Sequence, residues 1–135
     1  MAVQFSVPVR NARGDATETT IGVSAILKIR TGAAPANCAA ADAGTALASM
    51  TLPSDWMNNT SAGVKTLLGT WQTLSALAAG TAGHFRVYDS TGVTCGIQGT
   101  ATATGGGGDM TLDNAVIAVG QQVNVITFSL TEGNA

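Results

Sequence analysis

The stretch Gly83-His84-Phe85-Arg86-Val87-Tyr88-Asp89 decides the fold of this chain, because apolar and polar side chains alternate along it. Phe85 and Val87 would face one side of a β-strand and the intervening polar residues the other, since the side-chain period of a strand is two. Similar short runs, bounded by turn-forming residues, recur about every 8–15 residues along the chain. The predicted strands are residues 24–31, 45–52, 65–77, 83–89, 94–104, 109–112, 115–119 and 122–131.

This spacing predicts a single all-β domain over residues 23–135, built as a jelly-roll-like or Greek-key β-sandwich. Regular alternation would place Val123 and Val125 opposite Ile126 and Phe128 on the last strand. A strand with apolar residues on both faces must be covered on both sides. We therefore expect part of this domain to be covered by other subunits.

Residues 1–22 are predicted to form an N-terminal arm followed by a short helix over residues 8–21. Pro8 suits the first turn of a helix, and Gly22 suits the position where a helix stops. The apolar stripe of this helix is thin and consists of Val9, Ala12 and Ala16. Such a helix would not persist alone, so we expect it to pack against the domain or against a partner.

The composition restricts the possible functions. Only 10% of the 135 residues are charged and the net charge is −2, while 45% are hydrophobic. A surface with so little charge gives weak protection against self-association, which favours a homo-oligomer.

The basic residues form no stripe, so no nucleic-acid partner is predicted. No apolar run is long enough to cross a bilayer and no signal peptide is visible, so no membrane partner is expected and we expect synthesis in the cytoplasm.

Few residues suggest chemistry. His84 is the single histidine, and we interpret it as an exposed strand residue without a catalytic partner. Gly105–Gly108 lacks the lysine and following helix of a phosphate loop and is interpreted as a hairpin. We predict no catalytic residue, no metal site and no cofactor, and hence no enzyme. Cys38 and Cys95 could remain free or form a bridge after release from the cell.

Several strings over nearly the full length resemble small proteins encoded among the virion-structure genes of tailed bacteriophages and prophages. These strings are Val9–Arg13, Leu27–Pro35, Leu52–Met57, Gly80–Asp89, Gly105–Asn114 and Gly120–Val123. The resemblance implies a virion protein made in the bacterial host cytoplasm. It also implies a capsid decoration (cement) protein that contacts the major capsid protein or another virion protein, or alternatively a neck, tail or head-fibre component.

A decoration protein, which we expect to form a trimer, would contact its neighbours through the arm, the helix and large aromatic anchors. The candidate interface residues are Phe5, Val7, Val9, Arg10, Arg13, Trp56 and Trp71. A different hypothesis is a carbohydrate-binding β-sandwich that recognises the host surface. Its aromatic platform would use Trp56, Trp71 or Tyr88, because aromatic faces stack on sugar rings.

Overall fold

The structure, a computed structural model, describes residues 2–135, in which one helix precedes nine strands. The elements are α1 (Val7–Ile21), β1 (Ile26–Thr31), β2 (Ala46–Thr51), β3 (Val64–Thr66), β4 (Gln72–Thr73), β5 (Gly80–Tyr88), β6 (Cys95–Ala103), β7 (Met110–Leu112), β8 (Val116–Ile117) and β9 (Val123–Thr131). Strand accounts for 39% of the chain and helix for 11%. The predicted all-β fold with an N-terminal arm and a short helix is confirmed.

The strands form one curled sheet in the order β2-β1-β5-β6-β7-β9-β3, with β4 also paired to β9 and β8 to β5. The rings of Phe85 on β5 and Phe128 on β9 have centroids 5.3 Å apart. In a flat sheet these two strands would be separated by about 14 Å, because three strand spacings lie between them. The sheet therefore folds over on itself and encloses the core between its two halves, as in a sandwich.

Trp56 and Trp71 lie at the centre of this core and are at most 1% exposed. Their ring centroids are 5.9 Å apart, and the indole of Trp71 lies 5.6 Å from the Phe128 ring. The indole N–H of Trp56 donates to the carbonyl oxygen of Gly22 at 2.9 Å. The prediction that both tryptophans are interface residues is wrong, because their rings and polar atoms find their partners inside this chain. Tyr88 is also buried, so the proposed aromatic platform for sugars is not at the surface.

Helix α1 begins at Val7, one residue before the predicted start, and ends at Ile21 as predicted. The Ser6 hydroxyl oxygen accepts a hydrogen bond from the Val9 N–H at 3.4 Å and caps the first turn. Gly22 has a φ of 97°, a conformation that residues with a side chain rarely adopt. Its N–H donates to the carbonyl oxygen of Glu18 at 2.8 Å, which closes the last turn.

A β-bulge changes which residues of β9 face the core. The partners of Thr111 and Leu112 on β7 are Thr127 and Val125, so Ile126 has no partner in the ladder. Val125 and Phe128 consequently both face the core, whereas Ile126 is 47% exposed. The prediction of an unbroken alternation with apolar residues on both faces is wrong for this strand.

Two further segments differ from the predicted pattern. Residues 65–77 are not one strand, because the range overlaps the end of β3 and contains β4, and these two strands pair with opposite ends of β9. Gly105–Gly108 does not form a hairpin, because β6 and β7 run parallel. The loop instead folds back over Thr102, whose hydroxyl oxygen accepts from the Gly108 N–H at 3.0 Å. A Cβ on Gly108 would lie 2.8 Å from that oxygen, so the absence of a side chain permits the close approach.

Candidate interaction surfaces

The arm lies against the C-terminal end of the chain. The Phe5 N–H donates to the carbonyl oxygen of Asn134 at 2.7 Å. The Arg13 guanidinium lies 4.9 Å from the Phe5 ring centroid and pairs with Glu132 at 3.3 Å. Arg10 donates to the carbonyl oxygen of Ala62 at 3.4 Å. These contacts hold the arm on the domain while leaving its apolar side chains open to solvent.

Of the predicted interface residues, Phe5, Val7 and Val9 are 36–46% exposed, Arg13 is also exposed, and Arg10 is partly buried. The predicted apolar stripe of α1 also faces outward, since Ala12 and Ala16 are exposed. We call the exposed apolar side chains of the arm and of α1 the arm surface. It consists of Val3, Phe5, Val7, Val9, Ala12 and Ala16.

The inner side of α1 is polar and packs on the domain through a buried cation. The Lys65 ammonium lies 3.1 Å from Asp15 and 2.9 Å from Glu18, and its side chain is 2% exposed. The backbone N–H and hydroxyl of Thr60 both donate to Asp15 at 2.8 Å. These two bonds, with the hydrogen bond from Lys65, lower the pKa of Asp15 to about 2. The helix is thus attached by charge-assisted hydrogen bonds and not by its apolar stripe.

Glu18 reinforces the same attachment. One of its carboxylate oxygens accepts from the backbone N–H groups of Trp56 and Met57, each at 3.0 Å. Desolvation opposes ionisation of Glu18, but hydrogen bonds from Lys65 and Met57 outweigh it and lower the pKa of this carboxyl. On the same face of α1 as these groups, Gly14 is the buried residue of the helix. A Cβ there would lie 2.3 Å from the Thr60 hydroxyl oxygen, so the helix and the domain are in close contact at this position.

A second buried cation lies under the loop of residues 32–45, which we call the strap. Arg86 on β5 donates to the carbonyl oxygens of Asn37, Cys38 and Ala40 at 3.0–3.1 Å. It also pairs with Asp42 at 2.6 Å, and its side chain is 2% exposed. Desolvation disfavours a charged Asp42, but hydrogen bonds from Tyr88 and Arg86 outweigh this and lower its pKa.

His84 lies beneath the same strap and is completely buried. Its Nδ1 is 2.9 Å from the carbonyl oxygen of Gly32. The interpretation of His84 as an exposed strand residue is therefore wrong. The alternation along β5 is as predicted, but the strap covers the face that regular patterning would leave to solvent.

Sequence reasoning missed a second exposed apolar region, which we call the ledge and which consists of Leu74, Leu77, Val116 and Val119. These side chains are 60–72% exposed. The segments that carry them are joined because the Gly120 N–H donates to the carbonyl oxygen of Ala76 at 2.9 Å, and the Ala76 N–H donates to the carbonyl oxygen of Gln121 at 2.8 Å. The signal in the sequence was two short apolar segments outside the long strands, but their proximity depends on tertiary pairing.

The surface of the molecule carries little charge partly because many of its charged side chains form salt bridges with one another. It has six basic and eight acidic residues. Eight of these side chains lie in salt bridges: Arg13, Asp15, Glu18, Arg30, Asp42, Lys65, Arg86 and Glu132. In residues 2–135 no helix is long and apolar enough to cross a membrane. The same residues contain no cluster of three or more potential metal-ligating His, Cys, Asp or Glu side chains.

In comparisons with protein-family models, with curated proteins and with solved structures, no match to this chain was found. Functional inference therefore depends on the two exposed apolar surfaces and on the arrangement of the chain's own residues.

Proposed function

We propose that this chain is a structural protein of a phage virion, and specifically a capsid decoration protein that binds the head as a homo-oligomer. The observation that carries the proposal is the pair of exposed apolar surfaces. Single exposed apolar residues are ordinary, whereas groups of them indicate contact surfaces. The resemblance of the sequence strings to tailed-phage virion proteins indicates where such contacts would be made.

The positions of the two surfaces suit a head-to-tail contact between subunits. The ledge lies next to the start of β9, where Gln121 accepts from the Ala76 N–H. The arm surface lies next to its end, where Phe5 bonds to Asn134. A strand of nine residues spans about 30 Å, so the surfaces are at opposite ends of the molecule. Head-to-tail contacts that close by rotation form rings, of which a trimer is the smallest.

The proposed partners follow from this arrangement. Burial of the ledge against a neighbour's arm surface would hold the oligomer together, and the remaining apolar side chains would contact the major capsid protein. Many symmetry-related weak contacts would then raise the avidity for the shell. We propose that the protein is made in the bacterial host cytoplasm and ends in the virion.

The first test is the composition of purified particles. Particles from a host that carries this gene would be analysed by quantitative mass spectrometry. A decoration protein is expected in hundreds of copies per particle, in line with the symmetry of the shell, whereas about six to twelve copies would identify a neck or tail component. Absence of the protein from purified particles would reject a virion role altogether.

The second test is rebinding to particles assembled without the gene. The purified protein is expected to bind these particles, and the Val3→Ser/Phe5→Ser variant should bind them at least about tenfold more weakly, because it loses apolar area from the arm surface. Val23→Ser is the matched control, because Val23 is 65% exposed but outside both surfaces. Equal binding by the arm variant and the control would remove the arm surface from the mechanism.

A further inference from the structure

The strap carries one of the two cysteines and is held over β5 by polar contacts. Besides the bonds to Arg86, Gln98 on β6 donates to the carbonyl oxygen of Pro35 at 2.7 Å. The strap is largely exposed and rich in alanine, so it contributes little apolar burial. Its position therefore depends on hydrogen bonds that compete with water.

Cys38 lies near the middle of the strap, and Cys95 is the first residue of β6. Both side chains are free, half-buried thiols and both line one pocket of about 610 Å³, together with Asp42 and Arg86. The bond from Arg86 to the Cys38 carbonyl, at 3.0 Å, fixes the backbone of Cys38 beside β5. Cys95 is held in the sheet opposite Tyr88.

Cys38 also affects the acidity of the Cys95 thiol. Burial, and to a lesser extent the neighbouring Cys38 side chain, raise the pKa of Cys95 to about 11. Because the thiolate is the reactive form, Cys95 is a poor nucleophile at neutral pH. Oxidation of the pair is therefore expected to be slow, and the reducing cytoplasm is expected to keep both thiols reduced.

We propose that Cys38 and Cys95 are a disulfide-forming pair, and that their bond fastens the strap covalently to the start of β6 when the protein meets a low-molecular-weight disulfide. In the first step the thiolate of one cysteine attacks that disulfide, which forms a mixed disulfide and releases one small thiol. The thiolate of the other cysteine then attacks the protein sulfur of the mixed disulfide and releases the second small thiol. The two cysteines lose two electrons and two protons, and the small disulfide gains them.

The crosslink would close a long loop of the chain and so restrict the unfolded state. It would also keep the strap over Arg86 and His84 when the hydrogen bonds open. The formation of the bond after release from the host rests on the proposed virion function, whereas the pairing of the two cysteines does not.

The test compares the purified protein in reduced and in oxidised glutathione. We expect oxidised glutathione to convert the wild-type chain into a monomeric product that has lost two hydrogen masses and both titratable thiols. Tryptic digestion should give one linked peptide containing Cys38 and Cys95. The melting temperature should rise by about 10 °C, and the reaction should be faster at pH 9 than at pH 7.

The variants Cys38→Ser and Cys95→Ser are the matched controls. Each should gain one glutathione adduct and show no rise in melting temperature. If the wild-type chain instead keeps two free thiols, takes two glutathione adducts or forms only intermolecular bonds, the proposal is wrong. These outcomes are read from the wild-type protein and so do not depend on the folding of either variant. They also do not require virions, so they are separate from the tests of the virion function.

Discussion

The Arg86 guanidinium connects the strap to the sheet, since it donates to three strap carbonyls and to Asp42. We predict that Arg86→Met destabilises the protein by about 3 kcal/mol in urea unfolding, because these acceptors lose their donor and Asp42 loses its charge partner. Lys28→Met is the control. Lys28 lies opposite Arg86 on β1, and its loss should cost less than about 1 kcal/mol. Equal effects of the two substitutions would contradict a special role for Arg86.

Asp15 makes the stability of the protein depend on pH in the acidic range. Its pKa is lowered from 3.8 to about 2 by hydrogen bonds from Thr60 and Lys65. A lowered folded-state pKa means that the stabilisation is present above pH 3.8 and is lost as the pH falls toward 2. We predict that Asp15→Asn reduces the change in the free energy of unfolding over this pH interval by about 1 kcal/mol. The expected effect is small because the carboxylate is partly exposed. Unfolding in urea at several pH values measures this.

The variant Thr60→Val tests whether the Thr60 hydroxyl lowers the pKa of Asp15, while it leaves the Asp15 carboxylate in place. It removes the hydroxyl donor and leaves the backbone N–H, so the pKa of Asp15 should rise part of the way to its ordinary value. The carboxyl carbon shift of Asp15 in an NMR titration reports this directly. An unchanged titration midpoint in this variant would show that the hydroxyl has no part in lowering the pKa.

At the scale of elements, α1 is positioned by a close approach at Gly14 and not by an apolar stripe. Alanine favours a helix over glycine by about 1 kcal/mol, yet a Cβ at this position would lie 2.3 Å from the Thr60 hydroxyl oxygen. We predict that Gly14→Ala destabilises the protein by about 1–3 kcal/mol, because overpacking outweighs the gain in helix propensity. Chemical unfolding followed by circular dichroism measures the effect.

A double-mutant cycle with Thr60→Ala tests the steric origin of this effect. In that background the two closest atoms of Thr60 are absent, and the next lies 3.1 Å from the added Cβ. Gly14→Ala should then be nearly neutral or stabilising. A cost that persists undiminished in the double variant would mean that the helix is sensitive to Gly14 for another reason.

At the scale of the whole molecule, the ledge and the arm surface predict concentration-dependent association. We expect an oligomer in analytical ultracentrifugation and a Kd about 100-fold weaker for Leu74→Ser/Leu77→Ser, because two exposed leucines lose their burial in the contact. Val93→Ser is the control. Val93 is 78% exposed, but it follows the C-terminal end of β5 and does not belong to the ledge. A wild-type chain that stays monomeric at high concentration would contradict association through these surfaces.

Local patterns in the sequence were enough to predict most of the elements. The alternation around Phe85 and Val87 predicted β5, because the period of a strand is a property of the backbone and not of its neighbours. Pro8 and Gly22 predicted both ends of α1 to within one residue, since each acts on its own turn. The exposed side chains of Phe5, Val7 and Val9 were also identified from the sequence as candidate contacts.

The sequence by itself thus determined that this is an all-β chain with an N-terminal arm and helix and very little charge. Only the tertiary structure decided which residues those elements hide. Ile126 is exposed because β7 imposes a bulge on β9, and Trp56 is buried because α1 and the curled sheet close around it. The placement of Cys38 and Cys95 on one pocket likewise depends on long-range packing. Burial and contact depend on the partner strand, and periodicity carries no information about that partner.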